Sequence, residues 1–260
     1  MNKSRRSFLK TAGISAFALS SGIAEPANEA YAKLAPGRYT RGETALTAKR
    51  WAMVVLTREF KTPQDYEPLI KACHSAHNVP DIAGRQNIKW LWLDAYAHVF
   101  PDDMNSHLDE YTRAASYPLL CNHCSNPPCV RVCPTQATYK MEDGIVAMDY
   151  HRCIGCRFCM AGCPYGARSF NFMDPRPHLA NPAPNPTFPT RMSGVVEKCT
   201  FCAERLAVGR FPACVEASDG RLLFGDLENP SSDVRKALAN NYSIRRKPSI
   251  GTQPGVYYII

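Results

Sequence analysis

The chain has 260 residues, 45% of them apolar, and a formal charge of +8. That is enough for one large domain or two small ones with a packed core. Twelve cysteines exclude an ordinary globular chain: they must act jointly, as disulfides, zinc ligands or iron–sulfur ligands. Twenty-one prolines against fifteen glycines favour turns and irregular segments over long helices.

The first segment reads as an address. It runs Met1-Asn2-Lys3-Ser4-Arg5-Arg6-Ser7-Phe8-Leu9-Lys10, then small and apolar from Thr11 to Ala24. Glu29-Ala30-Tyr31-Ala32 follows, an A-x-A type cleavage site, so residues 1–32 are expected to be a cleaved signal peptide. The Arg5-Arg6 pair in S-R-R-S-F-L-K resembles a twin-arginine (Tat) signal, with an ordinary Sec signal as the alternative. Tat export carries folded proteins, which places the mature chain in the periplasm with its cofactor already inserted and weighs against disulfides. No later segment has eighteen consecutive apolar residues, so membrane contact is expected through a partner.

The mature chain, 33–260, opens with a strand-like run, Trp51 to Leu56. A second apolar stretch runs from Ile88 to Leu93, where alternating Ile88, Trp90 and Trp92 predict a strand with the tryptophans in the core. Residues 121–172 are the cysteine-dense centre. Within them Ala137–Lys140 and Ile145–Met148 flank Glu142-Asp143-Gly144 and predict a β-hairpin with an Asp-Gly turn. Six prolines in 174–190 (Pro175, Pro177, Pro182, Pro184, Pro186 and Pro189) predict an extended surface loop, either a disordered linker or a partner-binding arm. A last cysteine group spans 199–214, and a cysteine-free tail runs to Ile260.

Group one is Cys121-x2-Cys124-x4-Cys129-x3-Cys133-Pro134, and group two is Cys153-x2-Cys156-x2-Cys159-x3-Cys163-Pro164. Group two matches the bacterial ferredoxin run C-x2-C-x2-C-x3-C-P, in which the fourth cysteine ligates the other cluster. Three thiolates on a tight loop reach three corners of one cubane, and the fourth points away. The expected sets are Cys121, Cys124, Cys129 and Cys163 for one [4Fe–4S] cluster, and Cys153, Cys156, Cys159 and Cys133 for a second. Zinc would not explain the repeated x3-C-P ending, and disulfides between residues three apart are strained. Cys199, Cys202 and Cys214 then need a fourth ligand, and only Cys73 remains; the alternative for Cys73 is a small buried hydrophobe. The reading is three [4Fe–4S] clusters and no catalytic residues. Three clusters of four thiolates each carry a net negative charge that the basic excess offsets, so no nucleic-acid partner is needed to explain it.

The stretches YPLLCNHCSNPPCVRVCPTQA, CIGCRFCMAGCPYGAR, EKCTFCAERLAVGRFPACVEA and IGTQPGVYY resemble the ferredoxin-like iron–sulfur subunits of bacterial respiratory complexes, which carry four clusters. The resemblance implies an α+β fold of two interleaved ferredoxin-like units with long loops and insertions. It departs at four positions: Pro63, Tyr66 and Leu69 stand where the family's first motif has cysteines, and Ser218 where its fourth motif ends in one. In the family those four bind one cluster, at the end facing a catalytic subunit. The three remaining clusters would form a row: the Cys73/Cys199 set, the Cys121 set, then the Cys153 set nearest a membrane partner. With the Tat-like signal, this pattern is most similar to the DsrO family, the periplasmic iron–sulfur subunits of DsrMKJOP-type complexes of sulfur metabolism. That implies an NrfD-like integral membrane subunit and a c-type haem subunit as partners; the chain itself has no C-x-x-C-H.

The expected function is therefore a non-catalytic electron-transfer subunit of a membrane-bound complex. Iron–sulfur subunits of formate, nitrite, polysulfide or hydrogenase-linked complexes are the alternative within the class, and a zinc or disulfide scaffold the alternative outside it. His123, between Cys121 and Cys124, is expected to pack against a cluster or support its ligands rather than act as one.

Overall fold

A computed structural model describes residues 42–179 and 184–260. The segment read as an export signal, 1–32, lies outside the described residues. Among those described, no helix is long and apolar enough to cross a membrane.

The fold is a mixed α/β one. Its strands are β1 (Trp51–Leu56), β2 (Trp92–Ala95), β3 (Ser116–Leu119), β4 (Thr138–Lys140), β5 (Val146–Met148), β6 (Ser169–Phe170), β7 (Val196–Glu197), β8 (Leu222–Asp226), β9 (Ser243–Ile244) and β10 (Val256–Ile259). The α-helices are short: α1 (Glu67–Ala76), α2 (Tyr96–Val99), α3 (Glu110–Ala114), α4 (Pro128–Arg131), α5 (Phe158–Ala161), α6 (Ala203–Leu206), α7 (Ala213–Glu216) and α8 (Asp233–Asn240). Most are single turns, as the proline count predicts.

One sheet has the order β8-β1-β10-β9, with β1 parallel to β10 and antiparallel to β8. Strand β1 is apolar without alternation because both of its faces are covered. Trp51, Met53 and Val55 join the main core, while Ala52 and Val54 pack with Val234 of α8 and Leu227. The other strands pair in twos, β2 with β3, β4 with β5 and β6 with β7.

The hairpin is present, with a longer turn than a two-residue Asp-Gly. Met141 N–H donates to Ile145 O (2.7 Å) and Gly144 N–H to Met141 O (3.1 Å). The turn needs a left-handed residue at its end, and Gly144 supplies it at φ +86°. The expected strand over 88–93 starts only at Trp92. Residues 88–91 are held instead by side chains: Trp90 is fully buried, and its indole N–H donates to Glu197 Oε2 at 2.7 Å. Trp51 and Trp90 are core, whereas Trp92 is half-buried.

The proline-rich segment is described at 174–179 and from 184 onward, and most of it lies at the surface as expected. From 184 onward it is anchored rather than a free linker. Phe188 is buried edge-on to Trp90 and His77. Asn185 and Asn78 exchange hydrogen bonds: Asn185 N–H donates to Asn78 Oδ1 (2.7 Å) and Asn78 Nδ2 to Asn185 O (2.9 Å). Asn185 Nδ2 also donates to Ala76 O (2.7 Å), capping the end of α1, where Asn78 takes the left-handed conformation.

Beside it lies a buried ion pair. Arg191 and Glu197 are fully buried and 2.7 Å apart. Glu197 also accepts from Trp90 Nε1 and from Asn171 Nδ2 (2.6 Å), while Arg191 donates to the carbonyls of His77, Pro189 and Asn78. Four segments of the chain, around 77–78, 90, 171 and 189–197, meet on these two side chains. Removing one partner strands a buried charge, which costs about 3–5 kcal/mol. Glu197→Ala should therefore lower the thermal midpoint by roughly 10 °C in anaerobic calorimetry; a midpoint within a degree or two of wild type would show that the pair organises nothing.

Candidate metal centres

All twelve cysteines are unbridged, and they fall into three groups. Cys121, Cys124, Cys129 and Cys163 line one cavity, together with Val146, Pro164, Tyr165, Ala167 and Arg168. Cys133, Cys153, Cys156 and Cys159 line a second, with Ala137, Met148 and Val196. The crossing has a local cause. Cys129 sits in α4 and Cys159 in α5, each facing its own loop, and one turn later Cys133 and Cys163 leave these helices toward the opposite cavity. The hairpin divides the two, since Val146 of β5 faces the first and Met148 the second.

The third group is brought together by packing rather than by a local loop. Helix α1, carrying Cys73, packs on α7, carrying Cys214. Cys199 and Cys202 are the other thiols acting on Cys73. All four are buried, at 4–8% exposure, whereas Cys133, Cys153 and Cys156 are half-buried. The second group is thus the one nearest solvent, with Ile154 (67% exposed) in the cavity wall and Phe158 (59%) exposed directly before Cys159.

The cysteine loops turn through conformations that side chains disfavour. His123 (φ 40°), Arg157 (φ 62°) and the consecutive pair Phe201 (φ 53°) and Cys202 (φ 52°) are all left-handed. Gly155, at φ +70°, has a second reason: a Cβ there would lie 2.4 Å from Gly194 O. Backbone N–H groups meet sulfur from one of these turns and from the neighbouring elements α7 and β7. Phe201 N–H donates to Cys199 Sγ (3.4 Å), Ala213 N–H to Cys202 Sγ (3.4 Å) and Val196 N–H to Cys153 Sγ (3.5 Å).

Electrostatics sort the thiols. Burial pushes Cys73, Cys199 and Cys202 well up, with neighbouring thiols adding to the effect on each. Cys124 and Cys214 are pushed up to about 12, again mainly by burial, and Cys159 and Cys163 also rise by burial. Cys133 goes the other way. Burial raises it, but hydrogen bonds from the Thr138, Thr135 and Ala137 backbone and the Thr135 hydroxyl outweigh that. Four thiols per group, unbridged and met by N–H donors, form a donor set that fits a [4Fe–4S] cluster. They do not fit a disulfide framework, which correspondingly has no bridge here.

His123 is buried, stacked on Phe201 (3.7 Å), and its Nδ1 accepts from Val146 N–H (3.1 Å). Burial pushes its pKa down, and Lys198 and Arg168 push the same way, so it is a neutral packing group. Sequence reasoning missed His77, one turn after Cys73 on the same helix face. Its Nε2 lies 2.9 Å from Glu204 Oε1 and its Nδ1 4.0 Å from Cys73 Sγ. The i, i+4 spacing from Cys73 was the available signal. Arg168 and Lys198 were also missed; Lys198, directly before Cys199, was visible as a charge abutting a ligand loop.

At the four positions where cysteine is absent, the structure has ordinary core or surface. Leu69 and Ser218 are fully buried. Tyr66 stacks on Phe60 (4.1 Å) and donates to Ser116 O (2.8 Å), with the Arg221 guanidinium over Phe60. Ser218 Oγ donates to Val215 O (2.7 Å) and accepts from Leu222 N–H (3.0 Å). Pro63 starts an exposed turn.

Residues 113–174 match the family model of the 4Fe-4S dicluster domain. Over 232 residues the chain is 41% identical to the Hdr-like menaquinol oxidoreductase iron-sulfur subunit 1 of Archaeoglobus fulgidus, covering 81% of this chain and 83% of that one. It is 37% identical over 215 residues to the menaquinone reductase iron-sulfur cluster-binding subunit of Nitratidesulfovibrio vulgaris, covering 72% and 81%. It is 37% identical over 190 residues to the B subunit of the polysulfide reductase of Wolinella succinogenes, covering 72% and 84%.

A raised pKa means that a thiol is still protonated at neutral pH in the metal-free chain. Each metal–thiolate bond therefore releases a proton, and rising pH favours the loaded state. Iron retained against a fixed excess of chelator should accordingly tighten at least tenfold from about pH 6.5 to about pH 8.5; pH-independent retention would show that the thiols are already ionised.

Proposed function

We infer from one fact, that this polypeptide belongs to the family of iron–sulfur electron-transfer subunits of oxidoreductase complexes, that it relays electrons and does no bond chemistry of its own. The carrying observation is the sorting of twelve unbridged cysteines into three groups of four. Cys121, Cys124, Cys129 and Cys163 would hold one [4Fe–4S] cluster, Cys133, Cys153, Cys156 and Cys159 a second, and Cys73, Cys199, Cys202 and Cys214 a third. A cluster of this kind, when bound, takes up and gives back one electron at a time. The protein's part is to exclude water, fix the thiolates and donate backbone hydrogen bonds to sulfur.

The finer reading is a DsrO-type subunit of a membrane-bound complex of sulfur metabolism, built on two interleaved ferredoxin-like units. It would be exported to the periplasm by the Tat route and would work beside an NrfD-like membrane subunit and a c-type haem subunit. Two observations support it. Where relatives of four clusters would carry another, this chain has Tyr66, Leu69 and Ser218 in well-packed core, so the row ends there. At the other end half-buried Cys153 and Cys156 sit beside exposed Ile154 and Phe158, a surface suited to a partner. The kinship with a menaquinol oxidoreductase subunit and a menaquinone reductase subunit supports a quinone-linked membrane partner. A second reading, an iron–sulfur subunit of a polysulfide-reducing complex, is favoured by the kinship with the polysulfide reductase subunit.

The purified chain should be brown and hold about twelve irons, four per cubane. Cys73→Ser should lower that count and alter one of three paramagnetic signals on reduction, and Cys133→Ser should disturb the cluster of Cys153, Cys156 and Cys159. Unchanged iron and signals in Cys73→Ser would sink the three-cluster assignment.

A further inference from the structure

Two buried cations lie between the three cysteine groups, and among the described residues neither has a carboxylate partner. Arg168 is 5% exposed and lines the Cys121 cavity. Its guanidinium donates to Thr138 Oγ1 (2.8 Å) and contacts Met148 Sδ (3.9 Å), and Met148 lines the Cys153 cavity. Lys198 is fully buried. Its ammonium donates to Val146 O, in the wall of the Cys121 cavity, and to Cys199 O (2.8 Å), in the third group. Among the described residues neither forms an ion pair with a carboxylate, and the contrast with Arg191 is direct, since that buried arginine has Glu197.

An unpaired buried cation is costly, by several kcal/mol even after relaxation. The cost is offset only if something negative lies close by. The nearby negative groups are the thiolates themselves. Arg168 lies within electrostatic reach of Cys129, Cys159 and Cys121, and its guanidinium bridges the walls of both cavities. Those three residues span two cavities.

We propose that Arg168 and Lys198 are the positioning charges of the relay, each shared between two neighbouring cysteine groups, so that the middle Cys121 group is flanked by both and accepts an electron most readily. The proposal rests on the three-cluster reading above. A fixed positive charge stabilises the more negative, reduced state of whatever the thiolates hold, and does so most strongly where water is excluded. With one cation on each side of the middle group and one beside each end group, the potentials would form a well at the centre.

The test is stepwise reduction of the iron-loaded chain with dithionite under argon, followed by electron paramagnetic resonance. Signals are assigned by one Cys→Ser change in each group, and iron is measured in every sample. Arg168→Gln should make reduction at the Cys121 and Cys153 groups about tenfold less favourable, a downward shift of about 59 mV for one electron, and leave the Cys199 group unmoved. Lys198→Met should move the Cys121 and Cys199 groups and leave the Cys153 group unmoved. Arg168→Lys, which keeps the charge, should restore the wild-type values. Full iron with unmoved potentials would overturn the proposal and leave the three-cluster reading intact. A wild-type chain with iron for fewer than three clusters would overturn the reading beneath it. If Arg168→Gln loses iron while Arg168→Lys keeps it, the charge requirement is upheld; loss from both would show that shape rather than charge is needed, and the proposal would fall.

Discussion

Enclosing negative charge in a chain of this size is the constraint from which the remaining architecture follows. A group of four thiolates is an anion that water would otherwise solvate, and here eight of the twelve cysteines are buried. The interior around them is therefore not only apolar. Backbone N–H groups aim at sulfur, the arginine and lysine described above stand among the ligands, and His123 is held neutral by burial and by those same cations. The helices can be single turns because their task is to deliver a thiol and stop. The β8-β1-β10-β9 sheet supplies the conventional core that such loops could not build alone.

The two anchoring devices differ in kind. Around the first two cavities the geometry is local, with α4 and α5 handing their last cysteine across the hairpin. Around the third it is long-range, since Cys73 stands on a helix far from its companions in sequence. That helix is fixed by its packing on α7, by the asparagine pair that caps it, and by Arg191 gripping the carbonyls just beyond it. The Arg191–Glu197 pair thus steadies a thiol it never touches.

Much of this was legible in the sequence because cysteine spacing is a covalent ruler. The x3-C-P endings mark where a thiol changes direction, and the continuous apolar run of β1 marks a strand covered on both faces. What was hidden depended on contacts between distant residues. Ile88–Leu91 has the alternation of a strand, yet Trp90 is drawn to Glu197, distant in sequence, and the backbone follows. The prolines of 174–190 look like a free arm, but Phe188 and Asn185 find their partners in the turn after α1. Arg168 and Lys198 stand inside the cysteine-rich stretches, Lys198 directly before Cys199, but that neither has a carboxylate partner among the described residues is recognisable only once their surroundings are known.

The left-handed turns at His123, Arg157, Phe201 and Cys202 have one more consequence. A residue other than glycine held in this region costs on the order of 1–3 kcal/mol and persists only where its surroundings over-determine it. In the cysteine loops those surroundings include whatever the thiols grip. The stacking of His123 on Phe201 and the Arg157 guanidinium over Phe170 and Phe172 add to that over-determination, so packing holds these turns as well. The cysteine loops therefore store strain that their packing must contain, and a substitution that loosens the packing would release the turn together with the thiol it aims.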